Sequence, residues 1–141
     1  VSGLRLGTDA VELYATLVQS LAFGTRAIHE HLRRNGVRID AIRAVGGIPK
    51  RSPYVMQVLS DALDCPIEVA DTEQAGARGA AILASVAVGA CASTRAAVER
   101  LASPVTNSYG PRSETRRSMD RLYARYLELG RMVDPSFDPF E

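Results

Sequence analysis

The sequence predicts an α/β fold in which a few short strands alternate with longer helices. Three observations carry that expectation. Two apolar runs too short for helices, Ala41–Gly46 and Pro66–Ala70, are bounded by turn residues. Longer stretches with apolar residues at helical spacing precede, separate and follow them. Their order, strand then helix then strand, favours parallel pairing through a helical crossover.

The elements follow in order. Asp9 and Glu12 form a capping pair for a helix that reaches about Asn35, where Asn35-Gly36 is a stop signal. Val11, Leu13, Leu17, Leu21, Ile28 and Leu32 recur along it at mostly helical spacing. Ala41–Gly46 reads as a short strand. Gly46-Gly47, Pro49 and the Lys50-Arg51 pair read as a loop. Ser52-Pro53 starts the next helix, with a capping hydroxyl and proline at the first helical position, and that helix runs to about Leu63.

Pro66–Ala70 is the second strand. The stretch from Thr72 to Ala90 is helical in tendency, and its many Ala and Gly residues suit close approach to a neighbour. Another helix spans Ser93-Thr94 to about Leu101, and Ala102–Ser113 is a loop by composition. A final amphipathic helix covers about Glu114 to Met132, with Met119, Leu122, Tyr123, Tyr126 and Leu127 on one side. The tail is expected to be extended. Two strands alone make a marginal sheet, so the expectation is a partial domain whose other strands lie upstream of Val1.

Composition narrows the function classes. The 141 residues are 46% hydrophobic and 23% charged, as in a globular domain with a core. A net charge of +1 advertises neither a nucleic-acid nor a membrane-surface partner. Cys65 and Cys91, far apart in sequence, argue for small buried residues in a reducing, cytoplasmic setting rather than a disulfide scaffold. The longest uncharged run, Gly79 to Thr94, falls short of the roughly 18–20 apolar residues of a membrane span. The start of the chain shows no basic segment leading into an apolar one, so no signal peptide is expected.

Gly46-Gly47 is the one feature with ligand chemistry. It joins a strand to a helix, where ligands bind in α/β folds, and without Cβ atoms the main chain can lie against a nucleotide. The spacing is neither the dinucleotide fingerprint nor the P-loop, so a bare turn and a ligand loop both stay open. His29 and His31, two apart on a helix, diverge and read as a solvated face. No carboxylate pair, nucleophile–base pair or metal-ligand spacing is visible; no catalytic or metal-binding residue is assigned.

From this loop onward, the order of motifs resembles the C-terminal domain of the FGGY carbohydrate kinases, and within them most of all the ribulokinases. The residues that carry it are "AVGGIPKRSPYVMQ" at 44–57, "PIEVA" at 66–70 and "EQAGARGAA" at 73–81. "GLRLGTDAVELYATL" at 3–17 and "AFGTR" at 22–26 precede them. The resemblance implies an actin-like, RNase H-like ATPase fold, two lobes with ATP between them. Residues 1–133 would be a C-terminal, ATP-side lobe truncated at its N-terminus, and 134–141 a tail. It implies that Gly47 and Ser52 face the nucleotide, with Gly46, Ile48 and Lys50 nearby. The loop is one residue longer than the commonest family form, so Arg51 competes with Ser52 for that place. Gly79–Ala81 would pack their helix against the sheet, and Arg78, usually apolar in the family, would be exposed.

The resemblance also implies what this chain does not carry. The sugar site, the Asp general base and the phosphate-contacting turns belong to the family's N-terminal lobe. The whole protein would transfer the ATP γ-phosphate, with Mg2+, to L-ribulose or a related pentulose, and these residues alone would be inactive. Two alternatives stand beside this: a kinase for another ketose or polyol, and a non-catalytic interaction domain that pairs with itself through exposed strand edges.

Overall fold

The computed structural model of the chain describes residues 2–72 and 74–138. Glu73 of the "EQA" motif and the last three tail residues lie outside them. Helix α1 spans Ala10–Arg34. The Asp9 carboxylate accepts a hydrogen bond from the Glu12 amide at 2.8 Å, and Gly36 (φ 80°) lets the chain turn away after Asn35.

The face that α1 buries is not the one its large aliphatic residues define. Val18, Ala22, Phe23 and Ala27 are buried, whereas Val11, Leu17, Leu21 and Ile28 are each more than half exposed. Small residues decide this. Ala22 and Ala27 let neighbouring helices come close, and Phe23 lies 5.7 and 5.8 Å from the rings of Tyr123 and Tyr126. His29 is buried too, against the expectation of a solvated face. Burial, then the nearby Arg33 charge, lowers its pKa.

Strand β1 (Ile42–Ala44) pairs in parallel with β2 (Ile67–Ala70), with Ile42 opposite Ile67. Between them run the short α2 (Gly47–Arg51) and α3 (Pro53–Leu63). The Ser52 hydroxyl accepts from the Val55 amide, and Pro53 takes the first turn, as the sequence predicts. Helix α3 is the hub. Val58 and Ala62 pack with α1, while Met56 and Leu63 cover Ile67 and Val69 of the sheet. The larger of these side chains, Val58, Met56, Leu63, Ile67 and Val69, each contribute about 1.5–3 kcal/mol on burial, and the Ala62 methyl less.

Beyond β2 come α4 (Ala75–Ala87), α5 (Thr94–Leu101), β3 (Val105–Tyr109) and α6 (Ser113–Val133). Strand β3 runs antiparallel to β2, so the sheet order is β1-β2-β3. Helix α6 closes the core with Met119 and Tyr123. Its start is fastened by Arg112, whose amide and guanidinium donate to the fully buried Asp61 carboxylate of α3 at 2.9, 3.0 and 2.6 Å.

Several expectations change. Residues 105–109, read as loop, form a strand, and residues 47–51, also read as loop, form a turn of helix. The small-residue helix begins at Ala75 rather than Thr72. It packs on α5, buries none of its described residues, and leaves open space beside Gly79, so the expected packing of Gly79–Ala81 onto the sheet is not found. Gly79, Ala80 and Ala81 are too short to reach the sheet from α4, which packs against α5. Arg78 is exposed, as expected. Both cysteines are half-buried free thiols rather than core residues. The tail turns at Pro135-Ser136, where the Phe137 amide donates to the Asp134 carbonyl.

Candidate functional site

Because β1 and β2 are parallel, their last residues, Ala44 and Ala70, lie at the same end of the sheet. Open α/β sheets bind ligands at that end. The chain leaves β1 through Gly46, held at φ 99° and ψ −168°, a conformation open in effect only to glycine. Gly47 then begins α2. A Cβ atom added at either glycine would meet nothing within 4 Å. The main chain is therefore bare on its outer side, which is what a base or ribose lying against it requires.

Helix α2 carries the next residues. Ile48 is 65% exposed. The Lys50 ammonium reaches across to the end of β2 and lies 2.6 Å from Asp71 Oδ1. That hydrogen bond and charge hold the Asp71 carboxyl below the usual carboxylate range. Asp71 also donates its amide to the Pro104 carbonyl at 2.9 Å, so the Lys50 clasp is tied to the start of β3.

Two hollows flank this turn. An apolar one of about 430 Å3 lies toward α1 and is lined by Leu21, Thr25, Val45, Gly47, Ile48 and Met56, among others. A polar one of about 510 Å3 lies on the β2 side, lined by Lys50, Asp71, Thr72, Gln74, Arg78 and Leu101, among others. The residues expected to form one cradle are thus divided. Gly47 and Ile48 line the apolar hollow, Lys50 the polar one, and Gly46 sets the turn between β1 and α2. The Ser52 hydroxyl accepts a hydrogen bond as the cap of α3, which leaves its own proton free to be donated.

Sequence reasoning missed the α1 and β2 contributions. Leu21 and Thr25 reach the site from a helix that starts far upstream; the sequence marks Leu21 as an apolar helix position and Thr25 within "AFGTR", but neither as a site residue. Asp71 and Thr72 were open to inference, because they directly follow β2 at the ligand-binding end of the sheet. The bare glycines and the apolar hollow fit an adenosine moiety. Among the described residues no group of three His, Cys, Asp or Glu side chains could hold a metal ion. No magnesium site is assigned to this chain.

Comparison with known proteins identifies the family. The model for the FGGY family of carbohydrate kinases, C-terminal domain, matches residues 1–88. The chain is 36% identical over 134 residues to ribulokinase of Vibrio parahaemolyticus serotype O3:K6, covering 95% of this chain and 24% of that protein. It is 38% identical over 133 residues to ribulokinase of Shouchella clausii, covering 92% and 24%. It spans about a quarter of the length of these curated relatives. Among solved structures, xylulose kinase from Rhodospirillum rubrum superposes with a TM-score of 0.82 at 22% identity, over 95% of this chain and 27% of that one.

Proposed function

The chain belongs to the FGGY family of carbohydrate kinases, and from that premise we propose that it forms the nucleotide-side lobe of an ATP-dependent sugar kinase. Its α/β fold is part of the actin-like C-terminal lobe of such kinases. The observation that carries the proposal is the bare main chain at Gly46-Gly47, set at the carboxyl end of β1 beside an apolar hollow. In this reading the adenosine end of ATP lies against Gly46 and Gly47. Ile48 covers the base from α2. Ser52 donates its free proton from the cap of α3, and Lys50 holds the turn to β2 through Asp71. The nucleotide, when bound, supplies the phosphoryl group.

Residues 1–133 make up this lobe, and 134–141 its tail. The catalytic base and the sugar site belong to the other lobe of the kinase, so these residues alone transfer no phosphoryl group. The acceptor is L-ribulose or a related pentulose, which the ribulokinase names of relatives 36–38% identical support. The fold itself does not choose among ketoses, since a xylulose kinase shares it. Among the described residues no helix is long and apolar enough to cross a membrane, and the enzyme is proposed to act in the cytoplasm.

The experiment is an ADP titration followed by amide resonances. Saturable shifts centred on residues 44–52, with no phosphorylation of any sugar by this chain, are the expected result. Silence across those residues contradicts the reading.

A second reading, an interaction module, is favoured by a separate observation. Tyr14, Leu17, Leu21 and Ile28 form an exposed apolar stripe on α1, and β1 pairs on one side only among the described residues. A concentration-dependent dimer whose sedimentation ignores ADP, and which Leu17→Glu with Leu21→Glu dissociates, would support it. A monomer at all concentrations would sink it.

A further inference from the structure

A groove between α1 and α6 lies apart from the nucleotide loop. It measures about 670 Å3 and shares no lining residue with the two hollows beside Gly46-Gly47. Its floor is apolar and aromatic: Phe23 comes from α1, and Leu122, Tyr126 and Leu129 come from α6. The Phe23 and Tyr126 rings stand 5.8 Å apart there. Pockets that take a single small ligand have this size and this mostly apolar lining.

The polar groups on its rim are one-sided. Arg5 and Arg125 both line the groove, and neither guanidinium makes an ion pair or hydrogen bond among the described residues. Gly3, at φ 82°, turns the start of the chain against α6 and brings the two together. A Cβ placed on Gly3 would lie 3.9 Å from an Arg125 guanidinium nitrogen. The Gln19 side-chain amide also lines the groove without a partner among the described residues. The Thr16 and Ser20 hydroxyls donate back to the Glu12 and Leu17 carbonyls of their own helix. No described Asp or Glu lines the groove. A lone exposed arginine is ordinarily solvated, but a cleft with charge of one sign over an apolar floor focuses its field and gathers anions.

We infer that this groove binds a small carboxylic acid with an apolar body, its carboxylate held by Arg5 and Arg125 and its body laid on Phe23, Leu122, Tyr126 and Leu129. The charge complementarity decides the head group: every unpartnered polar side chain named on the rim offers N–H donors, and the planar guanidinium fork matches a carboxylate. The floor decides the rest. Thr16 to Phe23 is two turns of α1, roughly 10 Å, which sets the length of body the groove takes. The inference needs no part of the kinase reading.

The test is a titration of the chain, at constant ionic strength, with octanoate, 1-octanol, octylammonium and acetate, followed by amide resonances. Octanoate is expected to give saturable shifts at Gln19, Phe23, Arg125, Tyr126 and Leu129. Octanol, which has the body without the charge, binds there about tenfold more weakly. Octylammonium and acetate give no saturable response at these residues. Arg5→Gln and Arg125→Gln each weaken octanoate binding by about threefold, as suits a charge pair at an exposed rim, and the double variant weakens it by about tenfold. Both side chains are exposed, so the variants should fold, and octanol binding, which uses the floor alone, stays as in wild type. Octanoate shifts that do not saturate overturn the inference. So do octanol or octylammonium binding as tight as that of octanoate, and equal octanoate affinity in wild type and the double variant.

Discussion

The Lys50 ammonium and the Asp71 carboxylate meet at 2.6 Å and join the turn after β1 to the end of β2. Both groups are on the surface, so the pair does little for global stability. Its effect is local: it holds α2, and with it Gly47 and Ile48, against the sheet.

Lys50→Met should therefore leave the melting temperature nearly unchanged while weakening ADP binding on the order of two- to fivefold. Asp71 has a depressed pKa, so the clasp is complete above the ordinary carboxylate range and is lost as pH falls through the lowered value. Calorimetric titration of wild type and variant across that range checks both statements.

The two glycines should respond differently to alanine. Gly46 sits at φ 99°, and Gly46→Ala is expected to cost roughly 1–3 kcal/mol. Gly47 has no such backbone, and Gly47→Ala should cost less than about 1 kcal/mol. Urea unfolding of the two variants measures the contrast.

Asp61 and Arg112 provide a stability test remote from the site. Burial alone would raise the Asp61 pKa, but hydrogen bonds from Arg112 and Gln57 outweigh it and hold the carboxyl low. Arg112 is half exposed, so Asp61→Ala should cost roughly 2–4 kcal/mol, somewhat below a fully buried pair. A depressed carboxyl stabilises the fold above its unfolded pKa, and that contribution disappears as pH falls through the folded value. Acid unfolding of wild type should show this slope and Asp61→Ala should lack it.

At the other end of the pH scale, burial first and then Glu30 push the Tyr123 phenol up to about 12. Its hydroxyl donates to the Glu30 carboxylate at 3.1 Å, and Arg26 stacks over the ring at 4.3 Å. The neutral phenol is the form the fold favours. Its contribution is complete below the ordinary tyrosine pKa of about 10 and declines as pH rises toward the folded value. Alkaline unfolding of Tyr123→Phe should show a shallower slope over that interval.

These residues also mark where the sequence could be read and where it could not. The capping groups Asp9 and Ser52, the strands at 42–44 and 67–70 and the glycine turn are local signals, and local physics was enough to place them. Strand β3 was hidden because Val105 and Tyr109 are flanked by Pro, Asn, Ser and Gly, and it forms only because β2 offers an edge. The buried face of α1 was hidden because alanines, rather than leucines, set how closely α3 and α6 approach. Asp61 finds Arg112 fifty-one residues away, and spacing along the chain carries no record of that.

The measurement that bears most directly on the nucleotide loop is the ADP affinity of Gly47→Val. A side chain at Gly47 points into open space and demands no unusual backbone, so the variant should fold and melt as wild type does. It would, however, cover the main chain on which the nucleotide lies. The account predicts saturable ADP binding by wild type at residues 44–52 and binding at least about tenfold weaker, a loss of about 1.4 kcal/mol or more, in the folded variant. Equal affinity in the two proteins would contradict it.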